Sequence, residues 1–308
     1  MTAIRLGTRR SALALAQSGQ LAEAIRAATG RDVELVEIVT EGDRNRAALA
    51  QIGGTGVFVT ALRDALLDGR VDVAVHSFKD LPTAPAAGLV VAAVPQREDP
   101  RDVLVCPSGK TLGELPAGAR VGTGSPRRAA QLRALGFGLE IVGIRGNVDT
   151  RVGKAVSGEV DAVVLARAGL IRLGRDDLLG HVTEVIDPLQ VMPAPAQAAL
   201  AVETRADDPL VTDLAPLEHP ATRAAVAAER ELLLVLEAGC SAPVGALADV
   251  AESDDGTEMY LRAVVAAVDG SELLRSSAYG TPADPAALGR RLAEELLADG
   301  AGELMGNE

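Results

Sequence analysis

Through the first two thirds of the chain, short apolar runs alternate with stretches of helical periodicity. The apolar runs predict strands at Ile4–Gly7, Val33–Val39, Val71–Val75, Leu89–Val94, Val103–Val105, Ile141–Ile144 and Ala162–Leu165. Between them lie helical patterns such as Ser11–Ala28, where Leu13, Gln17, Leu21 and Ile25 recur four apart on one face. This alternation predicts α/β layers built on largely parallel sheets. Polar Gln96-Arg97-Glu98-Asp99 between Pro95 and Pro100 marks one break, and the proline-rich stretch Pro188–Pro195 a second. After Pro220 the texture changes. Ala221–Glu237 reads as a long helix and Ala238–Pro243 as a turn. Tyr260–Val268 and Ser271–Tyr279 flank Asp269-Gly270 as a hairpin, and Ala286–Leu297 closes as an amphipathic helix. These elements predict a smaller α+β C-terminal domain. There is no repeat at a short fixed period.

Length adds that 308 residues suggest two or three domains rather than one core. Aromatic residues are only 2% of the chain, so the core must rest on Val, Leu, Ile and Ala. The formal net charge of -13 and the scarcity of aromatics argue against nucleic-acid binding, which needs a broad basic surface and stacking platforms. The sequence contains no apolar run long enough to span a membrane, and Met1–Gly7 lacks the apolar stretch of a signal peptide. A soluble cytoplasmic protein is expected, and no apolar patch demands a partner, so a monomer is expected too. Cys106 and Cys240 cannot make a four-thiolate metal site, and His76, His181 and His219 show no metal-ligand spacing. No metal is expected.

Against this acidic background, arginines recur in Gly7-Thr8-Arg9-Arg10-Ser11, in Gly124-Ser125-Pro126-Arg127-Arg128 and in Arg145-Gly146-Asn147-Val148-Asp149-Thr150-Arg151. Each run leads into a helical pattern. Ser125 can act as N-cap and Pro126 as the first helical residue, with the helix running through Leu132 and Leu135. Arg127 and Arg128 then lie in a first turn where the helix dipole favours acidic residues. Paired arginines there suggest that the negative charge arrives on a ligand. Any single run reads equally well as solvated surface charge, but three together favour a ligand with several carboxylates or phosphates.

Val75-His76-Ser77-Phe78-Lys79-Asp80 follows an apolar strand, at the end where open α/β sheets bind ligands. An isolated Asp80 would more often be a helix cap or a partner of Lys79. Cys106, inside an apolar strand, reads as an inert thiol, whereas Cys240 sits in a permissive turn and is the better candidate for covalent attachment. Gly53-Gly54-Thr55-Gly56 lacks the Gly-Lys-Ser/Thr ending of a phosphate loop.

Several runs recur together in order: Thr8-Arg9-Arg10-Ser11, Val75–Asp80, Arg97-Glu98-Asp99-Pro100-Arg101-Asp102, Val121–Ser125 with Arg127-Arg128, Arg145-Gly146-Asn147 and Glu237-Ala238-Gly239-Cys240. On these residues the chain closely resembles the porphobilinogen deaminases, or hydroxymethylbilane synthases, over nearly its whole length. The resemblance implies two periplasmic-binding-protein-like lobes, 1–95 with 196–213 and 101–189, and a cofactor-carrying C-terminal domain, 218–308. It implies a dipyrromethane held by a thioether at Cys240, onto which four porphobilinogen molecules condense with loss of ammonia before hydrolytic release. Asp80 would be the catalytic carboxylate, kept ionised by nearby arginines. Cofactor binding would fall to Cys240, Arg127, Arg128, Ser125, Thr123, Lys79, Ser77 and Arg145, and substrate binding to Arg9, Ser11, Arg151 and Arg172. Many relatives place lysines where this chain has Gln51 and Thr55, and Gly-Gln-Gly where it has Ala196-Gln197-Ala198, which implies a stiffer crossing between lobes. Two other readings remain open on the residues alone: a two-lobed receptor for a small anion, which leaves Cys240 unexplained, and a Cys–His hydrolase.

Overall fold

The computed structural model describes residues 2–39, 56–239, 242–253 and 256–305. Cys240, Gln51, Thr55 and the Gly53-Gly54 pair lie outside them. The chain divides into two compact units, Met1–Arg97 with Ala199–Arg223, and Glu98–Ala198 with Ala224–Glu308.

In the first unit, β1 (Ile4–Thr8) leads through α1 (Ala12–Thr29) to β2 (Val33–Glu37), and α2 (Gly56–Leu67) precedes β3 (Val73–Ser77). The predicted face of α1 is largely right: Gln17, Leu21 and Ile25 are buried, the two apolar ones against Ile4, Leu6 and Val73, while Leu13 is half-buried. β4 (Leu89–Ala93) enters next. The second unit holds β5 (Asp102–Val105), β6 (Arg120–Thr123), α3 (Pro126–Ala134), β7 (Glu140–Gly143), α4 (Val148–Val156), β8 (Ala162–Ala166), α5 (Arg167–Leu173) and β9 (Val182–Val185). β10 (Leu200–Arg205) then returns to the first unit.

The two five-stranded sheets have the orders β2-β1-β3-β10-β4 and β7-β6-β8-β5-β9. They share one topology. In each, four strands run the same way, and the fourth strand in the order is reversed, pairing antiparallel with both its neighbours. From β1 in one sheet and from β6 in the other, the chain steps to one side and then crosses to the other. Their switch points therefore lie between β1 and β3 and between β6 and β8, where open sheets of this kind bind ligands. The duplication has no sequence counterpart at a short period because it is carried by strand order, not by residue identity. With one reversed strand in five, both sheets are largely parallel, as expected.

The C-terminal part contains α6 (Pro220–Val235), an antiparallel sheet of β11 (Val244–Ser253), β12 (Gly256–Ala266) and β13 (Leu273–Gly280), and α7 (Pro285–Ala298). The predicted hairpin forms with Tyr260 opposite Tyr279 and a turn at Asp269-Gly270. One sheet face buries Met259, Leu261, Ala263 and Val265 with Leu232 of α6 and with Leu288 and Leu292 of α7. On the other face Met192 packs with Leu247 and Val264. Two α/β layers of common topology and a smaller α+β sheet are the architecture expected.

Candidate active site

All three arginine runs contain a helix N-cap. The Ser11 hydroxyl accepts from the Ala14 N–H at 3.3 Å, Ser125 from Arg128 N–H at 3.4 Å, and Asn147 Oδ1 from Thr150 N–H at 2.8 Å. Pro126 occupies the first helical position as predicted, and α3 ends at Ala134 with Leu135 as its cap. The sequence pattern thus located the start of each helix, because a short polar side chain there satisfies a backbone N–H that the helix cannot.

In the first unit, adjacent parallel strands deliver two sets of residues to one end of the sheet. Arg9 and Ser11 follow β1; Ser77 ends β3 and Lys79 and Asp80 lie in the 3-10 turn Phe78–Asp80. Arg10 turns away to Glu37 at 2.9 Å and is exposed. Ser77 meets Gln17 of α1, the Gln17 amide donating to its hydroxyl at 3.3 Å, which ties the two sets together. Asp80 is half-buried and accepts no hydrogen bond from the described residues, and no arginine forms an ion pair with it. One residue before Ser77, His76 is buried with Nε2 3.1 Å from Glu203 Oε2, and Arg63 grips the same carboxylate through Nε and Nη2 at 2.9–3.1 Å. Burial opposes the charge on Glu203, but the adjacent His76 ring and the Arg63 guanidinium hold its pKa below the usual value. His76 thus faces the Glu203 carboxylate across the β3–β10 pair. Cys106 is buried in the second unit, its sulfur beside the Ser108 hydroxyl at 3.1 Å.

In the second unit, Thr123 ends β6 and Ser125 follows it, Arg145 and Arg151 follow β7, and Arg172 lies on the helix after β8. The Thr123 hydroxyl accepts the Ser125 N–H at 3.2 Å and shapes the turn. Gly124 permits a close approach: a Cβ there would stand 2.7 Å from the Ile144 carbonyl oxygen and 3.7 Å from Arg151 Nη2. The β6 and β7 loops therefore meet at Gly124, next to a guanidinium. Arg151 also donates through Nε to the Gly146 carbonyl at 2.9 Å. Burial lowers its pKa, and the nearby charge of Arg128 lowers it further. Arg145 is exposed and makes no hydrogen bond with the described residues.

Arg127 and Arg128 are not surface residues: they are 3% and 5% exposed. An internal anion meets them, which corrects the expectation that their negative charge comes wholly from outside. Asp102, 0% exposed, accepts from Arg127 Nη2 at 2.9 Å and from Arg128 Nε and Nη2 at 3.0 and 2.8 Å. Arg127 Nη1 donates to the Met192 carbonyl and Arg128 Nη1 to that of Val164. Burial alone would raise the Asp102 pKa, but the charges of Arg128 and Arg127 outweigh it and drive the pKa far below the carboxylate range. These bonds engage five of the pair's ten N–H groups. The other five have no acceptor among the described residues, and the buried Arg127 Nε is one of them. Such orphaned donors, with one net positive charge, fit the carboxylates of an acidic pyrrole.

Asp102 closes the Arg97–Asp102 run, and the sequence alone assigns it no place in the site. A charged residue at the head of the apolar run Val103–Val105 was the available signal, since a buried carboxylate requires partners. Gln197 was missed too. Its amide donates to Asp102 Oδ1 and to the Pro100 carbonyl, both at 2.7 Å. The flanking Ala196 and Ala198 take φ of 60° and 72°, the left-handed backbone that glycine adopts without strain. Arg172, 9% exposed, donates to the Ala198 carbonyl at 2.6 Å, so it holds this segment.

Comparison with known proteins decides the family. Residues 4–213 match "Porphobilinogen deaminase, dipyromethane cofactor binding domain" and residues 223–298 match "Porphobilinogen deaminase, C-terminal domain". The chain belongs to the porphobilinogen deaminase family. Porphobilinogen deaminase 1 of Streptomyces coelicolor is 61% identical over 314 residues, 99% of this chain and 98% of that protein. The porphobilinogen deaminases of Nocardia farcinica and Mycobacteroides abscessus are 57% and 56% identical, spanning 99% and 98% of this chain and 88% and 99% of theirs. Among solved structures, the BvgS VFT2 domain of Bordetella pertussis aligns with a TM-score of 0.42 at 15% identity, over 69% of this chain and 85% of that one. Porphobilinogen deaminases are hydroxymethylbilane synthases, transferases of porphyrin biosynthesis, and the matched cofactor is the dipyrromethane. No helix among the described residues is long and apolar enough to cross a membrane, and no group of His, Cys, Asp or Glu there could hold a metal ion.

Proposed function

We propose that this chain joins four porphobilinogen molecules head to tail on a dipyrromethane attached to Cys240 in a C-terminal domain, 218–308, and releases the linear tetrapyrrole by hydrolysis. It acts as a cytoplasmic monomer that binds no nucleic acid. The observation that carries the reading is the buried Arg127–Arg128 pair, half of whose N–H groups meet no acceptor among the described residues.

Porphobilinogen bears an acetate and a propionate, so each added unit brings two carboxylates that need planar donors. Arginine's fork matches a carboxylate through two parallel bonds. Arg127, Arg128 and Arg145, with Thr123, Ser125, Ser77 and Lys79, hold the cofactor's acid groups. Arg9, Ser11, Arg151 and Arg172 hold those of the substrate. When bound, the dipyrromethane supplies the nucleophilic pyrrole carbon at which chain growth begins. At the substrate, the carbon–nitrogen bond of the aminomethyl group breaks and ammonia leaves, and the cation that remains spreads its charge onto the pyrrole nitrogen. The Asp80 carboxylate stabilises that charge and takes the proton lost after the new carbon–carbon bond forms. A carboxylate that accepts no hydrogen bond from the described residues has its lone pairs available for both roles.

Intact-mass spectrometry with limiting porphobilinogen tests the reading. The wild type carries a dipyrrole and a ladder of further adducts, Cys240→Ala carries none, Arg127→Leu stalls at loading or the first additions, and Arg151→Leu stalls later. Identical ladders in wild type and both arginine variants would return these arginines to ordinary surface or structural charge.

A further inference from the structure

We infer that Asp102 is a positioning residue for the Arg127–Arg128 pair: it holds both guanidinium forks in register for the carboxylates of an acidic pyrrole and cancels one of their two charges. The inference rests on the assignment of that pair to ligand binding. Two guanidiniums side by side in a buried site repel and would splay apart unless something bridged them. Asp102 is that bridge. Oδ2 accepts from Arg127 Nη2 and Arg128 Nε, while Oδ1 accepts from Arg128 Nη2 and Gln197 Nε2.

Four donors exhaust a carboxylate's acceptor capacity. Asp102 therefore cannot also satisfy the remaining N–H groups of the pair, and those stay directed to something else. The backbone carbonyls of Met192 and Val164 fix the far side of each fork. Gln197 closes the fourth corner from a segment whose left-handed Ala196 and Ala198 keep its amide aimed inward. The result is a rigid frame with one surplus positive charge. A neutral frame would not attract an anion, and a doubly charged one would cost far more to bury.

Asp102→Asn is isosteric, and no flip of the new amide relieves it. Either orientation turns an NH₂ group toward two donors, Arg127 Nη2 with Arg128 Nε, or Arg128 Nη2 with Gln197 Nε2. The forks must move, and a displacement of about 1 Å in a positioning group costs on the order of a hundredfold.

The test follows attachment of the primer to full-length apo-protein incubated with porphobilinogen, read by intact mass, beside a thermal melt of the same sample. For Asp102→Asn the porphobilinogen concentration giving half-maximal loading rises by at least about tenfold, the lower part of that range. Gln197→Met, which leaves all guanidinium contacts in place, gives a smaller rise in the same direction and serves where Asp102→Asn does not fold. A purely structural role lowers the melting temperature and the amount of loadable protein, and leaves the half-maximal concentration unchanged. That result in Asp102→Asn, or in Gln197→Met where the first variant is unfolded, overturns the positioning role. Arg128→Leu separates the two levels: if it too loads at the wild-type concentration, the assignment of the pair to ligand binding fails and the role of Asp102 fails with it. If only Arg128→Leu is impaired, the assignment stands and Asp102 is excluded.

Discussion

Replacing Asp80 with Asn separates structural from chemical roles, because the structure gives that carboxylate so little to hold. Asp80 accepts no hydrogen bond and forms no ion pair among the described residues. The substitution keeps the shape and removes only the charge, so global stability should change by no more than about 0.5 kcal/mol, as for a side chain outside any buried network. The catalytic effect is of another order. A half-buried carboxylate about 4 Å from a pyrrolic cation, at an effective dielectric near 20, contributes about 4 kcal/mol. Allowing for partial solvent screening, a loss of at least about a hundredfold in turnover is expected, equivalent to about 2.7 kcal/mol. Two assays decide the matter: single-turnover formation of the first adduct by rapid quench and intact mass, and urea unfolding followed by circular dichroism. Slow adduct formation with an unchanged midpoint is the expected pair of results. Near-normal single-turnover chemistry would move the step to another group. A stability loss above about 1 kcal/mol would show that Asp80 has structural partners after all.

Three further outcomes follow from the same geometry. Gly270→Ala should destabilise the protein by about 2–5 kcal/mol, because φ is +79° and the new Cβ would stand 2.6 Å from the Ala130 carbonyl oxygen on α3, read as a lower urea midpoint. Arg127→Lys should recover only part of the loading lost in Arg127→Leu, because the ammonium keeps the charge but cannot reach Met192 and Asp102 as a planar fork, as scored on the adduct ladder. Burial would raise the Asp99 pKa, but hydrogen bonds from Arg101, then the charges of Arg101 and Arg167, bring it to about 2. A depressed folded-state value means that its stabilisation is complete above the unfolded value near 3.8 and is lost as pH falls toward 2. Acid melts of Asp99→Asn should show a shallower fall than wild type across that window.

The local instructions for this fold are readable along the chain. Ser11, Ser125 and Asn147 cap their helices through polar side chains that need no distant partner, Pro126 starts α3, and Asp269-Gly270 turns the hairpin. Apolar periodicity likewise placed most strands and the buried face of α1. These features depend on neighbours within a few residues, so sequence alone determines them. The strands β6, β9, β10 and β11 escaped the pattern, and β10 joins its sheet only by pairing antiparallel with β3 and β4, more than a hundred residues earlier in the chain. The partners of charge were decided in the same way. Arg127 and Arg128 looked like donors waiting for an external anion, and only the pairing of β5 with β8 brings Asp102, some 25 residues upstream, beneath them. His76 and Glu203 meet across β3 and β10 for the same reason. A buried charge must find its counter-charge wherever the topology puts one, and strand order is a property of the whole chain's packing rather than of any window within it.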